Sequence, residues 1–157
     1  MAEVDQTPVG SFRFELAFHE NALKPAGSAE RAIAGGAFAE CTGLEATMEP
    51  RVIREGGLNY GTHQRAGAVS FATVILRRGM TNNRDLWKWF ALTTQRGGYA
   101  YRLNLDIRHL DVEGKVIRTW QLLRAMPVKL KSSDLNSRGS EVAVEELHLV
   151  HEGLLLA

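Results

Sequence analysis

The chain has 157 residues, 45% of them hydrophobic and 24% charged, which is one domain's worth of sequence and unlike a disordered chain. Its 19 basic and 18 acidic residues leave a net charge of +1, so no general attraction to nucleic acid or anionic lipid is expected. The single cysteine, Cys41, excludes an intrachain disulfide framework and a multi-cysteine metal site, and no apolar run approaches the ~20 residues of a membrane anchor.

The start, MAEVDQTPVG, is polar and lacks the basic and apolar regions of a secretory leader. Residues 1–10 are expected to form a flexible N-terminal arm. From Ser11 to His19 the pattern alternates. Phe12, Phe14, Leu16 and Phe18 share one face and Arg13, Glu15, Ala17 and His19 the other, which predicts a half-buried strand. Residues 20–36 read as a loop insertion, in which the flanking glycines argue against a helical turn at 29–34. Ala37 to Thr42 and Leu44 to Ile53 read as strand segments interrupted at Gly43, a bend or bulge. A polar loop opens at Gly56 and Gly57 and runs to Gly67. Val69 to Arg77 carries apolar residues on both faces and predicts a strand covered on both sides.

One helix is predicted, over 83–95. Thr81, Asn82 and Asn83 offer caps, and Asp85 suits the first turn. Leu86, Trp89, Phe90 and Thr93 make its apolar stripe, with Arg84, Asp85 and Lys88 outward and Trp87 off the stripe. Tyr99 to Leu110 is the clearest strand: Tyr101, Leu103, Leu105 and Ile107 alternate with Arg102, Asn104, Asp106 and Arg108. Asp111 to Gly114 is a turn. Lys115 to Leu123 returns as the hairpin partner and extends through Met126 to Leu130. Lys131 to Ser140 is polar loop, and Glu141 to Val150 is the last strand, with Val142 and Val144 prominent. The predicted fold is mainly β, a sandwich or barrel-like single domain over residues 1–157 with one flanking helix.

No chemistry of catalysis is spelled out. His148 and His151, flanked by Glu145, Glu146 and Glu152, are three apart, so on a strand they point to opposite faces and do not form a metal site. Cys41 lies in an apolar stretch with no paired base and reads as a small core residue. There is no G-x-S-x-G elbow. Gly56-Gly57-Leu58-Asn59-Tyr60-Gly61 fits neither a dinucleotide fingerprint nor a phosphate loop. Arg77 with Arg78, and Lys129 with Lys131, read as solvated basic groups. No catalytic, cofactor-binding or metal residue is assigned, which favours a structural or binding role.

Several stretches, taken in order, resemble the tube-protein family of contractile phage tails and phage-tail-like injection systems. Phe38-Ala39-Glu40-Cys41-Thr42-Gly43-Leu44 is similar to the family's F-x-E-x-x-G-L, Arg54-Glu55-Gly56-Gly57-Leu58-Asn59 to R-E-G-G-x-N, and Leu76-Arg77-Arg78-Gly79-Met80-Thr81 to L-x-R-G-x-T. Asp85 to Phe90 falls where the family has its helix. Trp120 leads to Ala125-Met126-Pro127-Val128-Lys129 and Ser133-Asp134-Leu135-Asn136. The end, Glu141-Val142-Ala143-Val144-Glu145-Glu146 and then Val150-His151-Glu152-Gly153-Leu154, resembles V-A-I-E-x-x-x-L-x-H-E-G-L. The departure is Asn21 to Gly36, longer and richer in Ala and Gly than the family pattern.

The resemblance implies a non-enzymatic inner-tube subunit without cofactor or metal. It would form hexameric rings that stack into a hollow, β-lined conduit inside a contractile sheath. Implied partners are further copies of itself, the sheath protein, and baseplate, initiator and terminator proteins, with protein or DNA as possible lumen cargo and no membrane anchor. It would be made in the cytoplasm and assembled in a phage tail or phage-tail-like particle. Arg84, Asp85 and Lys88 are candidates to face the sheath. Gly56, Gly57, Asn59, His63 and Gln64 are candidates for inter-ring contact. Arg102, Asn104, Asp106 and Arg108 line either the lumen or a plain solvent face. Alternatives are a type VI secretion-like ring protein, a tube initiator layer and, from another class, a small-ligand-binding β-barrel with an apolar pocket. Last comes an enzyme using Cys41 or the His148/His151 pair.

Overall fold

A computed structural model describes residues 13–20, 30–31, 38–80, 82, 84–95 and 102–157. The proposed arm at 1–10, most of the 20–36 insertion, Phe12, Thr81, Asn83 and Tyr99 to Tyr101 lie outside them. In chain order the elements are β1 (Phe14–Glu20), β2 (Glu30–Arg31), β3 (Phe38–Thr42), β4 (Ala46–Met48), β5 (Arg51–Ile53), β6 (His63–Arg65), β7 (Val69–Phe71), β8 (Val74–Gly79), α1 (Asp85–Thr94), β9 (Leu103–Leu110), β10 (Val116–Ser132), β11 (Val144–Val150) and β12 (Gly153–Leu156). Eight strands form one sheet in the order β2-β1-β9-β10-β11-β8-β3, with β12 on β10. Every pairing is antiparallel.

β10 explains the architecture. Its first half pairs with β9 and β12, and its second half with β11. Register shifts between Leu122 and Ala125, and between Pro127 and Lys129, bend it. The two halves of the sheet thereby fold over one another, and the outer strands β1 and β3 touch. At the first bend Arg124 sits at φ 50, a left-handed conformation uncommon for a side chain with a Cβ. Three bonds hold it there: its N–H donates to Asn104 Oδ1 at 3.0 Å, its Nε to Glu152 Oε2 at 2.7 Å, and its carbonyl accepts from Arg102 at 3.4 Å.

The alternation read in β1 and β9 puts Phe18, Leu103, Leu105 and Ile107 in the core, where they meet Leu122, Val74, Leu76, Leu147 and Leu149. The helix stripe closes this core. Leu86 and Trp89 are buried, and Trp89 meets Phe18 edge-on with ring centroids 5.6 Å apart. Burying each such side chain stabilises the fold by about 1.5–3 kcal/mol. Arg84 stands at the N-cap without a side-chain cap bond, and of the expected caps Thr81 and Asn83 lie outside the described residues.

Several sequence expectations need correction. Val69 to Arg77 is two strands in different sheets. The chain turns at Ala72, whose N–H donates to Glu45 O, and β8 then enters the main sheet with only one face inward, Val74, Leu76 and Arg78. Arg78 is therefore core, not solvated. Leu44 to Ile53 breaks into β4 and β5 at Pro50, which lacks the N–H a ladder requires. The Gly56 to Gly67 loop contains β6, which pairs with β5. Glu30 and Arg31 pair with His19 and Phe18 inside the expected loop insertion. Val142 precedes β11 and is exposed, and β12 follows β11 by only two residues, which leaves it no separate signal in the sequence.

Candidate functional site

Four surfaces stand out. The first is the polar face of the half-sheet β1-β9-β10-β12, on the side opposite the core. The residues that alternate with the core positions of β9 are tied to neighbouring strands. Arg108 donates to Glu15 Oε1 at 3.2 Å, and Asp106 lies 3.0 Å from His19 Nε2. Asn104 accepts the Arg124 N–H, and Arg102 shares Glu152 with Arg124, at 3.2 and 2.7 Å. The structure therefore brings Arg102, Asn104, Asp106 and Arg108 together on one surface and pairs each of them. Sequence reasoning missed the partners Glu15, His19, Arg124 and Glu152, because strand register alone makes residues 20 to 93 positions apart into neighbours.

The second surface is the pair of sheet edges bounding that face. β12 pairs with β10 along one side only, and no described strand covers its other side. Leu155 and Leu156 stand 50% and 57% exposed there, with neither Lys nor Pro to discourage pairing. At the opposite edge, β2 covers β1 only at Phe18 and His19, leaving 14–17 without a described partner.

The third is an arm built from two short ribbons, β4 with β7 and β5 with β6. Every residue from 45 to 66 is exposed, including Met48, Val52, Ile53, Leu58 and Tyr60. At its base Gly43 has φ +89, and a Cβ there would lie 2.1 Å from Thr73 O, so only glycine lets the chain leave the sheet at this angle. Gly56, Gly57 and Asn59 sit at the tip. His63 Nε2 lies 2.9 Å from Glu55 Oε2, and Gln64 is the register partner of Val52. A two-stranded ribbon without a core is marginal in water, and this one exposes Met48, Val52, Ile53, Leu58 and Tyr60 together.

The fourth is the outer side of α1. Arg84, Trp87, Lys88 and Leu92 are exposed, and Lys88 Nζ lies 3.7 Å from Asp85 Oδ1, a weak i,i+3 pair. The helix lies over the core face of the half-sheet, so this side points away from the polar ladder.

A charge ladder also crosses the other half-sheet. Arg77 donates to Glu146 at 2.9 Å and to Glu40 at 3.0 Å, and Glu146 also meets His148. The His148 contact first, then Arg77, holds the Glu146 carboxyl below the ordinary range. An open groove of about 560 Å³ lies here, lined by Arg77, Glu146 and Lys131 among others. Beneath the ladder, Arg78 Nε meets Glu145 Oε2 at 2.9 Å, both side chains buried. Cys41 is half-buried in a second open groove beside Phe14 and Trp120, and burial raises its thiol to about 11. His151 donates its Nδ1–H to the Gly153 carbonyl at 2.9 Å and lies tilted against Phe71, while His148 serves Glu146, so the two imidazoles have separate neighbours. Among the described residues no cluster of three His, Cys, Asp or Glu has metal-binding geometry, and no helix is long and apolar enough to cross a membrane.

Residues 10–155 match the family model described as T4-like virus tail tube protein gp19. No curated protein matches significantly. A chain in the cryo-EM structure of the anti-feeding prophage (AFP) baseplate, 6-fold symmetrised, is 27% identical, with a TM-score of 0.78 over 96% of each chain. A chain of the PVC sheath-tube complex in the extended state, from an extracellular contractile injection system, is 17% identical with a TM-score of 0.75, over 98% of this chain and 93% of that one. An Hcp protein is 8% identical with a TM-score of 0.52, over 90% of this chain and 91% of that one. At those last two identities the likeness is one of fold.

Proposed function

The chain belongs to the T4-like virus tail tube protein family, and from that premise we propose that it builds the inner tube of a contractile tail or injection particle as six-membered rings stacked into a hollow conduit. The family match over residues 10–155 carries the reading, and similarity to a 6-fold symmetrised assembly over 96% of the chain supports the ring. The role is mechanical; no turnover is assigned.

The free edges supply a closing rule. In β1-β9-β10-β12 each strand runs opposite to the next, so β12 opposes β1. Rotation about a ring axis along the strands preserves direction. The β12 of one copy therefore meets the β1 of the next antiparallel, and closure removes both edges. Leu154 and Leu156 would then continue the apolar row of Phe14 and Leu16. With the core outward, Arg102, Asn104, Asp106 and Arg108 line the lumen, and Arg84, Asp85 and Lys88, beside Trp87, turn toward the sheath. The arm tip, with Gly56, Gly57, Asn59, His63 and Gln64, reaches an adjacent ring. Baseplate or initiator proteins would begin such a tube and a terminator would end it, with protein or DNA passing through the lumen. The likeness to a baseplate chain favours, as a second reading, a place in the first ring layers beside the baseplate.

Negative-stain electron microscopy across a concentration series tests this. Six-fold rings or stacked tubes are expected. Monomers at every concentration, even with baseplate and sheath components added, would overturn it. Leu156→Lys is expected to keep the subunit folded and abolish rings.

A further inference from the structure

The arm carries three arginines that form no ion pair among the described residues, although Glu45, Glu49 and Glu55 match them in number. Arg51 and Arg65 are Cα partners across β5 and β6, so both guanidiniums leave the ribbon on the same face. Both are exposed, as is Arg54 just beyond the strand. Among the described residues none of the three forms an ion pair. Glu55 is engaged by His63, and Glu49 at the arm's base does not reach them. Like charges directly opposite one another weaken a ribbon. This one has no core to offset the repulsion, so carboxylates from another molecule are the natural complement.

The chain itself presents such groups at the far end of the half-sheet from which the arm springs. β8 enters that half-sheet beside the arm at Val74 and leaves it at Gly79, and Gly79 pairs with Val144, the first residue of β11. The connection 133–143 joins β10 to β11 at this end, bridged at its mouth by Ser133 N–H to Val144 O. It carries Asp134 and Glu141, both exposed and without an ion-pair partner among the described residues. Beside them stand Leu135 and Val142, 89% and 80% exposed. The arm likewise sets Val52, Ile53, Leu58 and Tyr60 around its arginines. The two surfaces thus match in both charge and apolar content, with Arg138 between the two acids as the one opposing charge.

We propose that Arg51, Arg54 and Arg65 of one copy dock on Asp134 and Glu141 of a second copy in the next ring, with Leu135 and Val142 covered by the arm's apolar side chains. The contact joins different surfaces of the same chain, so it is heterologous and extends without closing, as a stack of rings requires. It rests on the tube reading above and names the chemistry by which one ring takes the next.

The test is a charge swap on the full chain, read by electron microscopy and sedimentation. Arg51→Glu with Arg65→Glu is expected to leave single rings and to raise the protein concentration needed for stacking at least about tenfold. Asp134→Lys with Glu141→Lys is expected to do the same. Mixing the two ring populations should restore stacks, since each variant's arm now meets an opposite charge on the other. Stacking of the wild type should weaken with salt, as screening shortens from about 10 Å at 0.1 M to about 3 Å at 1 M. All these residues are exposed, so unchanged thermal unfolding controls for folding. Tubes formed by the arm variant alone, or variant rings that do not stack when mixed, would overturn this docking while leaving the rings intact. Absence of rings in the wild type would instead count against the tube reading.

Discussion

Replacing Glu145 with leucine removes the negative half of an ion pair that lies almost wholly out of water. Arg78 is 1% exposed and Glu145 5%, their Nε and Oε2 atoms are 2.9 Å apart, and the guanidinium carbon sits 5.6 Å from the centre of the Phe38 ring. The pair lies directly across β8 and β11, so neither strand can turn the Arg78 guanidinium outward without losing its register. Breaking a buried pair from one side costs about 3–5 kcal/mol, which for a domain of this length lowers the thermal midpoint by roughly 6–20 °C. Replacing both, as Arg78→Met with Glu145→Leu, leaves no buried charge and is expected to stay within about 1 kcal/mol of the original protein. Urea and thermal unfolding of the two single variants and the double, at concentrations below assembly, give the coupling directly. A Glu145→Leu variant that loses less than about 1 kcal/mol would refute the reasoning. So would a double variant that loses the sum of the singles.

Three further outcomes follow from local geometry. Gly43→Ala places a Cβ 2.1 Å from Thr73 O at a φ of +89, and the urea midpoint should register a loss of at least about 1–3 kcal/mol. Burial holds His151 below the ordinary histidine range, with the Gly153 carbonyl pulling weakly the other way. The unfolded chain therefore takes up the proton first, and stability falls as pH drops below about 6.5. His151→Phe should flatten the thermal midpoint between about pH 7 and pH 5; an unchanged slope would count against the assignment. Cys41, raised to about 11, should be alkylated slowly at pH 8, where roughly one thiol in a thousand is ionised, with a rate that climbs with pH until the thiol titrates. Rapid modification at pH 8 would contradict it.

The parts of the fold that show in the sequence are those where local period decides. The alternation of Leu103, Leu105 and Ile107 and the stripe of Leu86 and Trp89 each report a single element facing a core. The partners of the polar residues could not be read that way. Arg78 and Arg77 look alike as neighbours in a basic pair, yet one is buried against Glu145 and the other lies on the surface between Glu40 and Glu146. Only the phase of β8 separates them, and that phase is set by a break at Ala72 and Thr73 which the run of apolar residues hides. The arm was obscured for a related reason. Its strands are three residues each, too short for a period to emerge, and nearly all their side chains are exposed, so no core face selects an alternation. Pro50 and Gly67 were the available signals. For the polar face the alternating residues themselves were legible and their pairing was not, because Glu15 and His19 become neighbours of Arg108 and Asp106 only through register.

The 17 residues of β10 would span about 56 Å if straight, and they belong to both halves of the sheet. That continuity sets how the subunit bears force. Two separate sheets packed face to face can slide, since only side-chain contacts resist. Here one covalent strand is threaded through both layers, so sliding must either stretch a backbone or shear many ladder bonds at once. The bend at Arg124 is the point where such a load would concentrate. It is also where Asn104, Glu152 and Arg102 converge on a single residue, so the joint is braced from three sides. If the ring axis runs along the strands of β1-β9-β10-β12, as proposed above, a load applied along the tube would pass into this strand.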